Sequence, residues 1–521
     1  MKMAFIRADA SLTIGTGHVM RCLVLADALK ARGTDVHFLC HMHEGHLVDL
    51  IADRGFVVHR LPPGSAGYAD LPDAPPHAAW LGALPDEDAA ACREIIAAAG
   101  SADLLVVDHY ALDHRFETPL RSVARRILVV DDLADRRHDC DVLIDQNFGS
   151  DDPARYAGLV PSAARLLVGP RHALLSEAYA AARSASLCRR DGSVKRILVF
   201  LGGVDADNVT IQVLKVCAKQ DALTAGVEIL AVVGQGNQHR SEIEAFAAGR
   251  PNLRVLPPQP SLVALMAEAD FAIGAGGVAA LERAALGLPS VTVAVATNQI
   301  GQASALAEAG ATISLDTLSP AFEATLEAAL ALLLQNPALV RRLSMASAAL
   351  CDGNGLRRLV GEIDPPAIDL RPASRVDAES MWRWRNHPDT RRYAGSPDEI
   401  SLVLHLAWLD ATLARPDRLL LIGSDRQGDV GVLRFDLDGE AATISVYLVP
   451  ERRGEGLGRW LIAAGGAYLR ECHPAVGRII ALVKADNASS RRAFAAAGYV
   501  EDSLTFALRL GSVPGSLQQE A

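Results

Sequence analysis

Residues 3–29, MAFIRADASLTIGTGHVMRCLVLADAL, combine a short apolar strand, a turn with two glycines and the start of a helix. Gly15 and Gly17 permit a tight backbone turn, His18 follows at once, and apolar residues then recur at helical spacing. Parallel sheets are built from units of this kind, in which a buried strand leads into a covering helix. The stretch therefore predicts an α/β fold with His18 at a helix N-terminus beside a strand end.

The same alternation of apolar runs and helical patterns extends to about residue 150 and starts again near residue 190. The runs LLVVD, ILVVDD and VLID belong to the first series, and RILVFLGG, FAIGAGG and SVTVAVA to the second. We therefore expect two successive α/β domains, over residues 1–190 and 191–362, each a parallel sheet covered by helices. Ligands of such sheets bind beyond the carboxyl ends of the strands, so the turns there are the candidate sites.

The pattern changes at Asp364-Pro365-Pro366, because consecutive prolines cannot continue a helix. Two helical stretches with tryptophans follow, DAESMWRWRNHPDTRRY and LVLHLAWLDATLA, and then apolar runs that predict antiparallel strands around a DRQGD turn. We expect a third, α+β domain over residues 367–510 and a flexible polar tail over residues 511–521.

Composition limits the classes of function. The 521 residues include 51 Lys and Arg against 62 Asp and Glu, a formal charge of −11, which argues against a nucleic-acid-binding face. The eight cysteines lack the paired spacing of a zinc site or disulfide framework, which favours a reducing cytoplasm. We see no signal peptide, and no apolar run approaches the ~18 residues of a membrane span. A soluble cytoplasmic protein that binds neither nucleic acid nor membrane is expected, and its oligomeric state stays open.

His18 is the first candidate catalytic residue. A helix start offers free N–H groups to an anion and favours a neutral imidazole, which can accept a proton. The alternative is that His18 only caps its helix. Nearby, the cluster of His41, His43, Glu44 and His46 suggests a metal site, but we expect a solvated loop there and no metal.

The segment DFAIGAGGVAALERAALGLP, residues 270–289, is a candidate diphosphate site. Gly276 and Gly277 let the backbone approach a phosphate closely, and the helix that follows supplies N–H donors. Such a site needs neither lysine nor metal, which suits an acidic chain. Glu282 lies further along the same helix, where a solvated carboxylate is the alternative to a ligand-binding one.

Two further turns carry polar side chains. The strand SVTVAVATNQ places Asn298 and Gln299 at its carboxyl end, where their amides can donate to phosphate oxygens or to an acetamido carbonyl. The turn LGGVDADN ends the first strand of the second domain and is another candidate cleft loop, with Gly202, Gly203, Asp205 and Asn208.

Several of these motifs occur together in one order. RADASLTIGTGHVMRCLVLADAL, VDHYALD, VVDDLADR, CDVLIDQN, GGVDADN and GAGGVAALERAALGLPSVTVAVATNQ together resemble the UDP-2,4-diacetamido-2,4,6-trideoxy-β-L-altropyranose hydrolases of pseudaminic acid biosynthesis, over about residues 1–350. The resemblance implies two Rossmann-like domains in a GT-B arrangement. It also implies metal-independent release of UDP, with water attacking the anomeric carbon and inversion, in a pathway that serves flagellin glycosylation.

The resemblance also assigns roles to residues. His18 matches the catalytic histidine, Asn298 matches an asparagine of the catalytic site, and Tyr110 matches an aromatic position that lines the cleft. Strand-end packing is the alternative for Tyr110, and Glu282 matches an acid that binds the nucleotide ribose in the related transferase fold. Contacts to the UDP-sugar are then expected from Gly15, Gly17, Gly202, Gly203, Asp205, Asn208, Gly276, Gly277, Glu282 and Gln299.

The third domain contains a basic glycine-rich turn in VPERRGEGLGRWL, between a strand and a helix. Its R-x-x-G-x-G pattern can surround a pyrophosphate with backbone N–H groups, and Arg452 and Arg459 add positive charge. With RIIALVKADN and SSRRAFAAAGYV, the turn resembles the GNAT family of acetyl-CoA-dependent N-acetyltransferases, and LRPASRVDAESMWRWRNHPDTRRY resembles members that acetylate UDP-4-amino-4,6-dideoxy sugars. The resemblance implies an acetyl-CoA site formed by Arg453, Gly454, Gly456, Leu457, Gly458 and Asn487.

The chain departs from the acetyltransferase pattern at Phe494, where many members have a tyrosine that protonates the leaving thiolate. Tyr499 is too far along the sequence to be assumed a substitute. Trp382, Trp384 and His387 are candidates for the sugar pocket, although helix packing is the simpler role for the tryptophans.

The leading interpretation is a UDP-sugar hydrolase fused to an N-acetyltransferase that acts on the 4-amino precursor of the hydrolase substrate. One alternative is a GT-B glycosyltransferase that uses a UDP-sugar donor. Another is a hydrolase with a degenerate acyl-CoA-binding module.

Overall fold

Strand β1 (Met3–Ala8) is an interior strand of a parallel sheet, and its apolar side chains are buried on both faces. The sheet has seven strands in the order β3-β2-β1-β4-β5-β6-β7. The other strands are β2 (Asp35–Cys40), β3 (Val57–Arg60), β4 (Leu104–Asp108), β5 (Ile127–Val130), β6 (Val142–Asp145) and β7 (Arg165–Val168). This computed structural model describes residues 1–149, 152–220, 224, 226–234 and 236–501, without the side chains of residues 297 and 298.

Helices cover both faces of this sheet. They are α1 (Gly17–Ala31), α2 (Val48–Asp53), α3 (Pro85–Ala98) and α4 (His114–Leu120). Helix α5 (Glu177–Cys188) belongs to a different core, which its Tyr179 shares with Leu198 and Leu230. The strand order reverses between β1 and β4, so the loops after these two strands open onto the same crevice. His18 follows β1 and Tyr110 follows β4, which brings both predicted residues to this crevice.

A second parallel sheet repeats the same winding, with six strands in the order β10-β9-β8-β11-β12-β13. Its strands are β8 (Arg196–Phe200), β9 (Glu228–Val232), β10 (Leu253–Leu256), β11 (Phe271–Ala275), β12 (Ser290–Ala294) and β13 (Ile313–Asp316). Its helices are α6 (Val209–Lys219), α7 (Arg240–Ala247), α8 (Val263–Glu268), α9 (Val278–Ala285), α10 (Thr297–Glu308), α11 (Phe322–Leu334) and α12 (Pro337–Leu350). The reversal here lies between β8 and β11, so both predicted glycine turns meet at one crevice.

The next helix, α13 (Gly355–Ile363), returns to the first sheet. Its apolar face, with Leu356, Leu359 and Val360, is buried in the same core as α1. Arg126 fixes its end by donating to the carbonyl of Ile363 at 3.0 Å. The chain then divides at Pro365 and Pro366 into two units, the first of which contains both parallel sheets.

The second unit contains a five-stranded sheet in the order β14-β15-β16-β17-β18, antiparallel except for the last pair. The strands are β14 (Asp369–Pro372), β15 (Arg418–Asp425), β16 (Gly428–Asp438), β17 (Ala441–Leu448) and β18 (Arg478–Ala481). The helices are α14 (Ala378–Asn386), α15 (Pro388–Tyr393), α16 (Leu402–Leu413), α17 (Leu457–Cys472) and α18 (Ala488–Ala496). The first tryptophan-bearing stretch forms two helices, because Pro388 begins a new one.

The α/β and α+β expectations are confirmed by these sheets. The predicted tail, together with residues 502–510 of the expected third domain, lies outside the described residues. Within the described part of the chain, the helices are all too short or too polar to cross a bilayer.

Candidate functional site

His18 lies in the first turn of α1, where the loop after β1 enters the helix. Gly15 has a φ of +79°, which favours glycine, and its N–H donates to the Ser11 carbonyl at 2.9 Å. The Ser11 hydroxyl accepts from the N–H groups of Thr13 and Ile14 and tightens the same turn. The turn thus places the imidazole at the β1 and β4 crevice, where only 7% of His18 is exposed.

Asp108, the last residue of β4, is the partner of His18. Its Oδ1 lies 2.6 Å from His18 Nδ1, so the carboxylate accepts the Nδ1 proton and leaves Nε2 as the proton-accepting nitrogen. Arg21, one helical turn after His18, donates to both Asp108 oxygens at 2.6 Å. Burial alone would raise the pKa of Asp108, but Arg21 and His18 hold it well below its usual range.

Aromatic side chains form one wall around His18. The Tyr110 ring meets the imidazole edge-on, with 4.5 Å between centroids, and Trp80 stacks on Tyr110 at 5.8 Å. His77 packs on Trp80 at 4.5 Å. The Tyr110 hydroxyl donates to Asp132 at 2.8 Å, and Asp132 also accepts from Arg21 at 2.5 Å. The ring of Tyr110 is therefore held rigidly beside the catalytic candidate, as an apolar face for a sugar ring requires.

The histidine loop after β2 is solvated only in part, because Met42 and Glu44 are exposed as expected, whereas His41 is buried and His43 is half-buried. His41 is 5% exposed and its Nε2 lies 2.9 Å from Asp88, while His43 Nε2 lies 3.6 Å from Asp9. Arg7, on β1, pairs with both Asp9 and Asp88 at 2.8 Å. Asp9 and Asp88 are buried carboxylates that need partners, and the imidazole rings of His41 and His43 lie beside them. Among the described residues, no group of His, Cys, Asp and Glu is arranged to hold a metal ion.

The predicted diphosphate turn lies between β11 and α9. Gly277 has a φ of +68°, and its N–H donates to the Gln302 side chain at 2.8 Å. The buried Arg283 donates to the Ala275 carbonyl at 2.9 Å and so stabilises the turn from the protein interior. A Cβ on Gly276 would lie 3.1 Å from Gln299, so glycine permits close packing there. The turn is prefolded, with its helix N-terminus aimed at the crevice.

The polar residues near this turn have different environments. Burial raises the pKa of Glu282, which accepts a hydrogen bond from Tyr179. Asn298 and Gln299 lie in the first turn of α10, because β12 already ends at Ala294. The Asn298 side chain lies outside the described residues, and Gln299 accepts from the Val295 N–H at 3.3 Å.

In the loop after β8, the predicted residues Asp205 and Asn208 make hydrogen bonds within their own domain. Asp205 accepts from the N–H groups of Val209 and Thr210 at 2.8 and 3.0 Å, and so caps α6. Asn208 donates to Glu242 at 2.9 Å. Gly202 has a φ of +106°, and a Cβ on either it or Gly203 would meet no atom within 4 Å. The two glycines therefore present open backbone to the second crevice.

In the second unit, the basic turn leads from β17 into α17. Gly454 and Gly456 have φ values of +85° and +77°, which glycine favours. Arg452 pairs with Asp425 at 2.8 Å and Glu455 at 2.9 Å, so its charge is already balanced within the turn. Leu457 and Gly458 begin α17.

The strands β17 and β18 separate beside this turn. Their pairing runs from Ala441 with Arg478 to Ile444 with Ala481, whereas β17 continues to Leu448. In the described part of the chain, Ser445–Leu448 have no strand partner on that side. An extended ligand can add to such an open edge through main-chain hydrogen bonds.

The remaining candidates of the second unit mostly serve packing. Phe494 is 7% exposed, and its ring meets that of Tyr499 at 5.0 Å, so the structure brings the two aromatics together. Asn487 caps α18 by accepting from the Ser490 N–H at 3.1 Å. Trp382 donates to the Ile400 carbonyl at 2.7 Å. Trp384 packs on the core that includes Met381 of α14, and His387 lies at the start of α15. Arg453 pairs with Asp389.

Family comparisons identify a domain in each unit. Residues 196–356 match the glycosyltransferase family 28 C-terminal domain, and residues 368–500 match the acetyltransferase (GNAT) domain. The crystal structure of Acinetobacter baumannii MurG aligns with 70% of this chain and 99% of its own, at a TM-score of 0.50 and 17% identity. The predicted GT-B arrangement and the GNAT domain are thereby confirmed.

Curated relatives of the chain include a hydrolase and a polysaccharide biosynthesis protein. The UDP-2,4-diacetamido-2,4,6-trideoxy-beta-L-altropyranose hydrolase of Campylobacter jejuni is 26% identical over 272 residues, 52% of this chain and 83% of that protein. The spore coat polysaccharide biosynthesis protein SpsG of Bacillus subtilis is 26% identical over 195 residues, 37% of this chain. The chain covers 57% of SpsG, little more than half of its length. The chain is thus a homologue of the hydrolase, with a glycosyltransferase family 28 C-terminal domain in its first unit and a GNAT domain in its second.

Proposed function

We propose that the first unit hydrolyses UDP-2,4-diacetamido-2,4,6-trideoxy-β-L-altropyranose to UDP and the free sugar, with inversion at the anomeric carbon. We further propose that the second unit transfers an acetyl group from acetyl-CoA to the UDP-4-amino-sugar precursor of that substrate, in pseudaminic acid biosynthesis. A cytoplasmic location is supported by the eight cysteines, all of which are free.

The observation that carries the hydrolase proposal is the 2.6 Å contact between His18 Nδ1 and Asp108. With its Nδ1 proton donated to the carboxylate, His18 takes a proton from water through Nε2 as the water attacks the anomeric carbon. Asp108 then stabilises the imidazolium, and Arg21 keeps Asp108 ionised. One attack on the face opposite the leaving group inverts the anomeric carbon, and no covalent intermediate is needed.

The departing UDP carries the electron pair of the broken bond, so its diphosphate gains negative charge. The N-terminus of α9, after Gly276 and Gly277, supplies backbone dipoles for that charge. Gly202 and Gly203 offer open backbone at the same switch point. This arrangement supports leaving-group stabilisation by neutral groups, which suits a chain with a formal charge of −11.

A glycosyltransferase is the second candidate for the first unit, because the glycosyltransferase family 28 match covers its second sheet. Both reactions need the same diphosphate turn, but only the hydrolase uses water as the acceptor. UDP release without any added acceptor distinguishes them, since a transferase is slow with water.

The acetyl-transfer proposal depends on the basic turn and the open edge of β17. Acetyl-CoA supplies the thioester carbon that the sugar amine attacks. The N–H groups around Gly454 and Gly456 bind its pyrophosphate, and Ser445–Leu448 offer main-chain partners to its extended arm. Phe494 has no hydroxyl to protonate the departing thiolate, so water or the incoming amine provides that proton. A degenerate module would instead bind acetyl-CoA tightly without turnover.

One assay tests both activities. The purified chain receives the UDP-4-amino sugar and acetyl-CoA, and NMR follows the N-acetylated sugar and free UDP. Both products are expected, the acetylated nucleotide sugar appearing before UDP. If neither appears, the proposal is wrong.

A further inference from the structure

A hydrogen bond between two side-chain amides, those of Gln302 and Asn147, connects the two α/β domains of the first unit. Gln302, on α10, accepts from the Gly277 N–H at 2.8 Å through Oε1 and donates to the Asn147 Oδ1 at 3.0 Å through Nε2. Gln302 is 8% exposed, so these hydrogen bonds are shielded from water. Asn147 follows β6 of the first sheet, whereas Gly277 belongs to the diphosphate turn of the second.

The Asn147 end of this bridge is anchored firmly. Its N–H donates to Asp145 at 3.0 Å, and Asp145 also accepts from the Tyr156 hydroxyl at 3.0 Å. The next residue, Phe148, packs on Ala280 of α9 and Leu306 of α10. The loop after β6 is thus seated on the helices that frame the diphosphate turn.

At the other end of the bridge, the geometry of Gly277 determines which backbone N–H groups face the leaving group. Gly277 adopts φ +68° and ψ −148°, and Gln302 holds its N–H in that geometry. Because this N–H is occupied by a side chain, a diphosphate must take the N–H groups that follow it in α9. A shift of Gln302 would therefore move the leaving group relative to His18.

We propose that Gln302 and Asn147 are positioning residues for UDP-sugar hydrolysis, which set the place of the diphosphate turn relative to the His18 half of the crevice. The inference rests on the proposed hydrolysis, and it assigns the two amides one shared role. They act through Gly277, by fixing the turn that binds the departing UDP.

Calorimetric binding of UDP and hydrolysis kinetics test this role in four variants. Gln302→Leu and Asn147→Leu remove the bridge, whereas Asn147→Ser keeps a neutral oxygen that can accept from Gln302. Gln335→Leu, at an exposed glutamine after α11, is the matched control. We expect both bridge-removing variants to weaken UDP binding and raise KM by about three- to tenfold, as loss of a buried hydrogen bond predicts. Asn147→Ser should lose less UDP affinity than Asn147→Leu, and Gln335→Leu should stay near the wild type.

The double variant distinguishes a shared role from two independent ones. Gln302→Leu with Asn147→Leu should bind UDP no more weakly than either single variant, because one bridge is lost in all three. Wild-type UDP affinity in Gln302→Leu would overturn the inference, as would equal losses in Asn147→Ser and Asn147→Leu. If the wild type binds UDP but releases none from the sugar, the proposed hydrolysis fails, while the binding series still decides the bridge.

Discussion

His18 and Asp108 meet through a 2.6 Å contact between Nδ1 and Oδ1, although 90 residues separate them in the chain. The contact exists because β1 and β4 are neighbours in the sheet, and each residue follows or ends one of these strands. Asp108 is fully buried, and its carboxylate also accepts from Arg21 and from the Cys22 thiol. The pair therefore has the arrangement of a general base held in one tautomer by a carboxylate.

Replacing His18 by Phe should abolish UDP release, with a loss of about 10²–10⁴-fold in kcat, because no other group takes the proton from water. Acetyl transfer by the second unit should remain at the wild-type rate. The matched control is His114→Phe, which changes a histidine whose side chain is 46% exposed. Hydrolysis by His18→Phe at the His114→Phe rate would refute the assigned role.

Asp108→Asn should lower kcat for hydrolysis by about 100-fold or more, since an amide can donate to Nδ1 and so favour the wrong tautomer. KM should change little, because Asp108 is fully buried and acts through its contact with His18. Circular dichroism checks that the variant is folded. Arg21→Lys provides a second test, since it keeps the charge but loses the bidentate contact, and it should lower kcat in the same direction.

Stability should depend on pH through Asp145. Burial and the nearby Asp132 carboxylate raise the pKa of Asp145 to about 7. Because the pKa is raised in the folded state, the contribution of Asp145 to stability is fully present below its unfolded pKa of about 4. That contribution is lost as the pH rises through about 7.

Asp145→Asn removes that titration. We measure the free energy of unfolding of the variant and of the wild type in urea. The difference, variant minus wild type, should increase by at most about 1.4 kcal/mol per pH unit between about pH 4 and pH 7. Parallel profiles for the two proteins would contradict the assigned protonation state of Asp145.

Gly456→Ala should raise the KM for acetyl-CoA by about five- to tenfold, because a side chain disfavours the φ of +77° on which the basic turn depends. UDP release should not change. Gly439→Ala is the control, since Gly439 has a φ of +59° in the turn between β16 and β17, at the other end of β17 from the basic turn. Equal KM values in the two variants would exclude the turn as the acetyl-CoA site.

The strands and helices were predictable because buried parallel strands and amphipathic helices repeat with different periods. The helix of His18 and the turns around Gly277 and Gly456 were predictable for the same reason, since glycines interrupt those periods at strand ends. Asn298 stays a prediction, because its side chain lies outside the described residues.

The partners of His18 were not identified from the sequence. Asp108 had a visible signal, as it ends the buried run LLVVD directly before His109 and Tyr110. Its contact with His18 depends on the strand order, which no local pattern encodes. The burial of His41 was missed for a similar reason, because its partner Asp88 comes from a distant helix.

The configuration of the released sugar tests the central claim most directly. The purified chain is mixed with UDP-2,4-diacetamido-2,4,6-trideoxy-β-L-altropyranose and no acceptor, and the first anomer formed is recorded by NMR before it equilibrates in water. Hydrolysis by a water activated at His18 predicts free UDP and a sugar of inverted anomeric configuration. A sugar of retained configuration, or no UDP until an acceptor is added, would contradict it.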